Sequence, residues 1–166
     1  MNNEQFMRIA LKEAQKALTC GEFPVGSVMV VHDQVIASGS RIGTAHGGNN
    51  EIDHAEMLAL RQLSLSKVDC DPAEITAYCT LEPCLMCFGA SMIAGIGRIV
   101  FAYEDVMGGG TGCNRQSLPV LYKESNIEVI PGVLRDESLA LFKSFFSNPA
   151  NTYWQGSLLE RYTLSQ

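Results

Sequence analysis

The pair His54-Ala55-Glu56, followed thirty positions after the histidine by Pro83-Cys84-Leu85-Met86-Cys87, constrains this chain more than any other feature. One imidazole and two thiols make a three-ligand zinc set, and a zinc with three protein ligands keeps its fourth position open, the mark of a catalytic rather than a structural ion. Any fold for this sequence has to bring residue 54 against residues 84 and 87.

Both halves of the pattern read as helix starts. Asp53 stands where an N-cap belongs, ahead of the apolar periodicity of Met57, Leu58, Leu60 and Leu63. Pro83 suits the first position of a second helix, where a missing N–H has no intrahelical partner to lose. Cys84 and Cys87 then sit one turn apart on one face. Helix N-termini favour thiolates and developing negative charge through their free N–H groups and dipoles. Glu56, two residues from the imidazole and outside the ligand set, is placed to shuttle protons.

Each half alone has a plainer reading. Asp53 and Glu56 have capping-box spacing, and an isolated C-x-x-C is often a redox pair or half of a structural zinc site. The other cysteines (Cys20, Cys70, Cys79 and Cys113) do not complete such a site, and His32 and His46 stand alone. The conjunction of both halves therefore assigns one Zn2+ per chain to His54, Cys84 and Cys87, with Glu56 as the catalytic residue. A non-enzymatic, zinc-stabilised interaction domain is the rival, and it explains neither Glu56 nor the missing fourth ligand.

A length of 166 residues fits a single domain with a substantial core. Residues 1–20 read as an amphipathic helix ended by Gly21. Residues 25–31 and 35–37 read as a hairpin around His32-Asp33-Gln34, and 39–50 as a glycine- and asparagine-rich loop. Strands follow at 75–80, 98–103 and 127–130, with helices at 136–147 and 153–162. Alternating strands and helices imply a layered α/β sheet. Six cysteines without a secretory signal indicate reduced thiols and a cytoplasmic protein. No uncharged run approaches the ~20 residues of a membrane span.

Three stretches carry a family resemblance: Gly21-Glu22-Phe23-Pro24-Val25-Gly26, His54 to Arg61 with the wording His-Ala-Glu-Met-Leu-Ala-Leu-Arg, and Thr80-Leu81-Glu82-Pro83-Cys84-Leu85-Met86-Cys87, continued by Ile96 to Phe101. H-x-E followed by P-C-x-x-C is the signature of zinc nucleobase deaminases. Over residues 4–146 the chain resembles the cytidine deaminase-like superfamily, and within it the bacterial tRNA-specific adenosine deaminases. The resemblance implies a three-layer α/β/α fold with a central five-stranded mixed sheet, hydrolytic deamination of a nucleobase, and a homodimer. It implies a substrate site bordered by Val25, Ser40, Asn49, Asn50, Asp53 and Ala55.

The departures fall near that site. Gly39-Ser40-Arg41 stands where relatives carry Trp-Asn-Arg, Asp53 replaces a small residue, and the chain ends in Asn151-Thr152-Tyr153-Trp154 and a near-neutral helix rather than a basic tail. Eighteen acidic against twelve basic side chains give a net charge of −6, which disfavours tRNA without excluding it. Arg41, Arg98 and Arg115 are the residues that can supply a basic rim. Adenosine in tRNA or a related amino-purine is the leading substrate; a free guanine-type or cytosine-type base, nucleoside or nucleotide is the alternative.

Among the remaining features, Gly108 to Gly112 reads as a flexible loop at the sheet edge, since the Lys-Ser/Thr of a phosphate loop is missing. His46 reads as an exposed loop residue, Cys79 as core, and Glu82 as either an orienting group for the cysteine helix or a favourable charge at its start. The segment 83–97 contains no charge and is apolar on every side, so one face of it is expected to be buried by a second copy.

Overall fold

A computed structural model describes residues 2–166. Helix α1 (Asn3–Thr19) is capped by Asn2, whose Oδ1 accepts from Glu4 N at 3.1 Å. It closes in a Schellman turn: Gly21, at φ +76°, donates to Leu18 O and Glu22 donates to Ala17 O. Strands β1 (Gly26–Val31) and β2 (Gln34–Ser40) form an antiparallel hairpin. Its turn has only two residues, His32 and Asp33, both at positive φ, tighter than the expected three-residue turn.

Strand β2 also runs to Ser40, through residues the sequence assigns to a loop. Gly39 explains the extension. A Cβ there would collide with Ala55 O and Ala59 N, so the bare glycine lets α2 (Ala55–Leu65) lie directly on the strand.

Strands β3 (Thr76–Leu81), β4 (Arg98–Tyr103) and β5 (Glu128–Ile130) complete a five-stranded sheet in the order β2-β1-β3-β4-β5. β1 is antiparallel to both neighbours, whereas β3, β4 and β5 are parallel. Parallel pairing demands a crossover, and α3 (Leu85–Ile93) supplies the one between β3 and β4. α4 (Val120–Lys123) is a short turn before β5 that the sequence does not announce.

Alternation divides the core by face. Val28, Val30, Tyr78, Val100 and Ala102 pack with Phe6, Met7 and Ala10 of α1. Met29, Ala77, Cys79, Ile99 and Phe101 pack with Ala59, Phe88 and Met92 of α2 and α3. Strands covered on both faces read as continuous apolar runs, and the expected three-layer α/β/α arrangement with a mixed sheet is the one observed. Helix α5 (Arg135–Phe146) joins the α1 side, and α6 (Leu158–Ser165) packs on α5. The final helix starts later than expected: Ser157 Oγ caps it by accepting from Glu160 N, and residues 153–156 are a turn. Among the described residues no helix is long and apolar enough to cross a membrane.

Gly39→Ala is expected to lower stability by about 1–3 kcal/mol, the usual effect of overpacking, because both atoms the new methyl meets are α2 backbone. Urea unfolding of the variant checks this, with unchanged stability as the contrary result.

Candidate active site

Two helix N-termini meet at one end of the sheet, α2 beginning one residue and α3 two residues later than the sequence suggests. Asp53 is not the α2 cap. Its carboxylate is engaged by Asn50 Nδ2 at 2.9 Å and Arg61 at 3.4 Å, and His54 takes the cap position in an extended conformation with no side-chain capping bond. Pro83 likewise precedes the helix, and Cys84 is the α3 cap. Backbone carbonyls of both caps start their helices, His54 O accepting from Leu58 and Cys84 O from Phe88. The capping side chains are thereby left free to face each other.

His54 Nδ1 lies 3.5 Å from each of the Cys84 and Cys87 sulfurs, and the two sulfurs are 3.6 Å apart. A tetrahedral zinc with Zn–S about 2.3 Å and Zn–N about 2.0–2.1 Å spaces its ligand atoms by roughly 3.5–3.8 Å. The donor set therefore fits that ion in chemistry and in spacing. The other imidazole nitrogen faces Glu51, 4.0 Å away, the side on which a ligating histidine is usually oriented by a carboxylate.

The electrostatics reflect three donors crowded together. The hydrogen bond with Cys87 holds the Cys84 thiol down to about 4, against burial, with His54 helping. Cys87 is pushed up by the same bond to Cys84 and then by burial. The bond to Cys84 raises His54, although burial opposes it. Glu56, 4% exposed, lies with Oε2 3.6 Å from the Cys87 sulfur, and burial raises its proton affinity above that of an ordinary carboxyl. A carboxyl whose proton affinity is raised by burial is suited to general acid work.

Glu82 braces the cysteine turn. It accepts from Asp105 N at 3.2 Å and from Thr111 N at 3.3 Å, tying down the glycine-rich loop that follows β4. Gly110 N donates to Pro83 O at 2.8 Å, and Gly109 pairs with Cys84 in an isolated bridge. The expected free loop at the sheet edge is instead packed on Cys84. Gly110 permits it, because a Cβ there would overlap Leu85 and the Cys84 carbonyl carbon.

A cavity of about 120 Å³ opens on this cluster. Phe23, Val25, Leu81, Met107 and Leu159 form apolar walls; Arg41, Glu51, Glu82 and Asp105 add charge; Tyr153 and Trp154 come from the C-terminal turn. Of the six border residues implied by resemblance, Val25 lines the cavity and the others lie outside its lining. Ser40 Oγ donates to Glu13 at 2.7 Å, Asn49 is exposed, Asn50 and Asp53 bond each other, and Ala55 is core beneath Phe23. His46 is exposed, as the sequence suggests.

The three arginines do not assemble into a basic rim. Arg98 pairs with Glu128 at 2.7 Å, and Arg115 donates to Ser125 O and Ile127 O. Arg41, 2% exposed, donates to the carbonyls of Ile42, Asn50 and Asp53, fastening the loop that delivers His54. Sequence reading misses Glu51, Tyr153, Trp154 and Leu159 as wall residues. The available signal was the adjacent Tyr-Trp pair in a polar stretch, but nothing local says which cavity it reaches.

Comparisons with known proteins follow the same lines. Residues 1–103 match the family model for the cytidine and deoxycytidylate deaminase zinc-binding region. A tRNA-specific adenosine deaminase of Bacillus subtilis (strain 168) is 33% identical over 144 residues, 87% of this chain and 88% of that protein. A structure from work on A-to-I editing by tRNA:A34 deaminases superposes with a TM-score of 0.68 at 32% identity, covering 82% of this chain and 98% of that one. A guanine deaminase from Nitrosomonas europaea has the same fold, with a TM-score of 0.67 at 22% identity over 86% of this chain and 83% of that one.

Purified protein should carry one zinc per chain by metal analysis. His54→Ala, Cys84→Ala and Cys87→Ala are each expected to lose most of it. Glu56→Ala should keep the metal and lose about 10²–10⁴-fold in kcat. Zinc loss in the Glu56 variant alongside full occupancy in the His54 variant overturns the assignment.

Proposed function

The chain belongs to the cytidine and deoxycytidylate deaminase zinc-binding family, and from that membership we propose that it hydrolyses the exocyclic amine of an amino-purine, adenosine in tRNA first among them. The single observation that carries the reading is the buried Glu56 carboxyl beside a His-Cys-Cys donor set at the floor of a base-sized cavity. Its volume is well below the ~300–1,000 Å³ of whole-ligand pockets, so it takes a flat nucleobase and leaves a sugar at the mouth.

His54, Cys84 and Cys87 would hold a zinc ion, which when bound would supply Lewis-acid activation of water near neutral pH. The chain's own residues do the rest. Glu56 donates a proton to the ring nitrogen beside the amine-bearing carbon as water oxygen adds to that carbon. The adding water returns one of its protons to that carboxyl, and the hydroxyl it leaves on the carbon gives up the other, through the same carboxyl, to the amine, which departs as ammonia. One water is consumed, a carbonyl replaces the C–NH2, and the ring nitrogen keeps a hydrogen. Phe23, Val25 and Leu81 keep bulk water from the ring, which strengthens each of these charge interactions.

A second reading, deamination of a free base or nucleoside, is favoured by the charge at the cavity. Glu51, Glu82 and Asp105 border it, and Arg98 and Arg115 are committed elsewhere. Phosphate contacts dominate nucleic-acid affinity, and this surroundings supplies few of them. Ammonia release should be assayed on adenine, adenosine, guanine and cytidine, with inosine formation measured in tRNA. The tRNA reading expects inosine, with binding that weakens steeply as salt rises. Salt-insensitive turnover of a free compound with no inosine in tRNA transfers the assignment to the second reading. Arg41 is unsuitable for charge reversal in that test because it is buried in the loop scaffold.

The working unit is a homodimer in this reading. α3 buries Cys87, Phe88 and Met92 but leaves Leu85 60% and Ile93 61% exposed, and the adjoining α4 exposes Val120 and Leu121. Apolar surface of this kind is characteristic of an interface. Light scattering at micromolar concentration should give twice the chain mass, and Ile93→Arg should shift it toward one. A wild-type protein that stays monomeric refutes the assembly.

A further inference from the structure

We propose that Trp154 is a substrate-binding residue whose indole stacks on the base held in the cavity. The inference rests on the deaminase reading and adds to it a contact that the matched family region, residues 1–103, does not contain.

Two independent observations carry it. Trp154 lines the cavity yet remains 43% exposed, the state of a large apolar side chain at a mouth and not in a core. Among the described residues its one aromatic neighbour is Tyr153, met edge-on at 5.5 Å and 66°, an arrangement that does not cover the indole by parallel stacking. Its backbone also sits at φ +58°, a left-handed conformation that bulky residues rarely adopt. Such strain persists only where surrounding structure imposes it, and it concentrates at ligand clamps.

The imposing contacts are all in place. Tyr153 donates its hydroxyl to Glu51 at 2.8 Å, lies under the Arg41 guanidinium at 5.8 Å, and meets Phe23 edge-on at 5.2 Å. Gln155 N donates to Thr152 O and Ser157 N to Trp154 O, closing the turn on both sides of the tryptophan. Tyr153 thus anchors the turn to the loop that carries His54, while Trp154 is presented at the opening. Every nucleobase has a π-face, so an aromatic platform grips the ring without choosing among bases. Glu56 and the metal ligands then act on the amine.

Trp154 is the only tryptophan of the chain, so its emission reports this contact alone. The zinc-loaded Glu56→Ala protein is titrated with 2,6-diaminopurine, which bears both adenine-type and guanine-type amines, and separately with adenosine. Emission is followed with correction for ligand absorption, and calorimetry is run in parallel. A saturable emission change at the calorimetric midpoint is expected. In the otherwise wild-type enzyme, Trp154→Leu should raise KM about tenfold or more with kcat little changed, and Trp154→Phe should restore most of the loss. Calorimetric binding with unaltered emission, or an unchanged KM in Trp154→Leu, overturns the stacking role and leaves the deaminase reading standing. Neither heat nor emission change with both compounds overturns the amino-purine reading and the stacking role with it.

Discussion

Everything at the reactive end of this protein depends on the confrontation of two helix N-termini. His54 and Cys84 are caps, and a cap has an extended backbone, so each side chain leaves its helix and points into the space between them. Cys87 arrives from the first turn of α3 and Glu56 from the first turn of α2. The two sulfurs lie 3.6 Å apart and the Glu56 carboxyl 3.6 Å from Cys87. Ligand groups crowded this closely are the kind a divalent metal neutralises on binding.

The surroundings keep the helix starts from relaxing apart. Arg41 fastens three carbonyls of the loop before His54, and Glu82 fastens the glycine-rich loop against Cys84. Both are polar residues used as struts between backbone segments far apart in sequence. Gly39 and Gly110 do the complementary work, removing a methyl where the two helices need to come close to neighbouring backbone.

What could be read from the sequence follows the range over which each signal acts. The meeting of His54, Cys84 and Cys87 with Glu56 beside them was legible because their spacing is chemically specific, and the strands because runs such as residues 98–103 are buried on both faces. The helix starts were placed one residue early for α2 and two for α3. Asp53 and Pro83 are strong start signals, but Asn50 in the preceding loop and Arg61 on α2 claimed Asp53, and the turn held by Gly110 and Pro83 left the cap position to Cys84. The glycine-rich loop looked free because its partner, Glu82, lies more than twenty residues earlier. The cavity wall at Tyr153 was illegible for the same reason: its anchors are Glu51 and Arg41, about a hundred residues away.

That separation along the chain has an evolutionary consequence. The His54, Cys84, Cys87 and Glu56 cluster lies within residues 54–87, whereas the C-terminal segment lines the cavity with Tyr153, Trp154 and Leu159. Insertions, deletions or exchanges in that segment can therefore remodel what enters the cavity while leaving the cluster in register. A lineage built this way can diversify its substrates by drift in one short, late segment, and the chemistry is inherited unchanged.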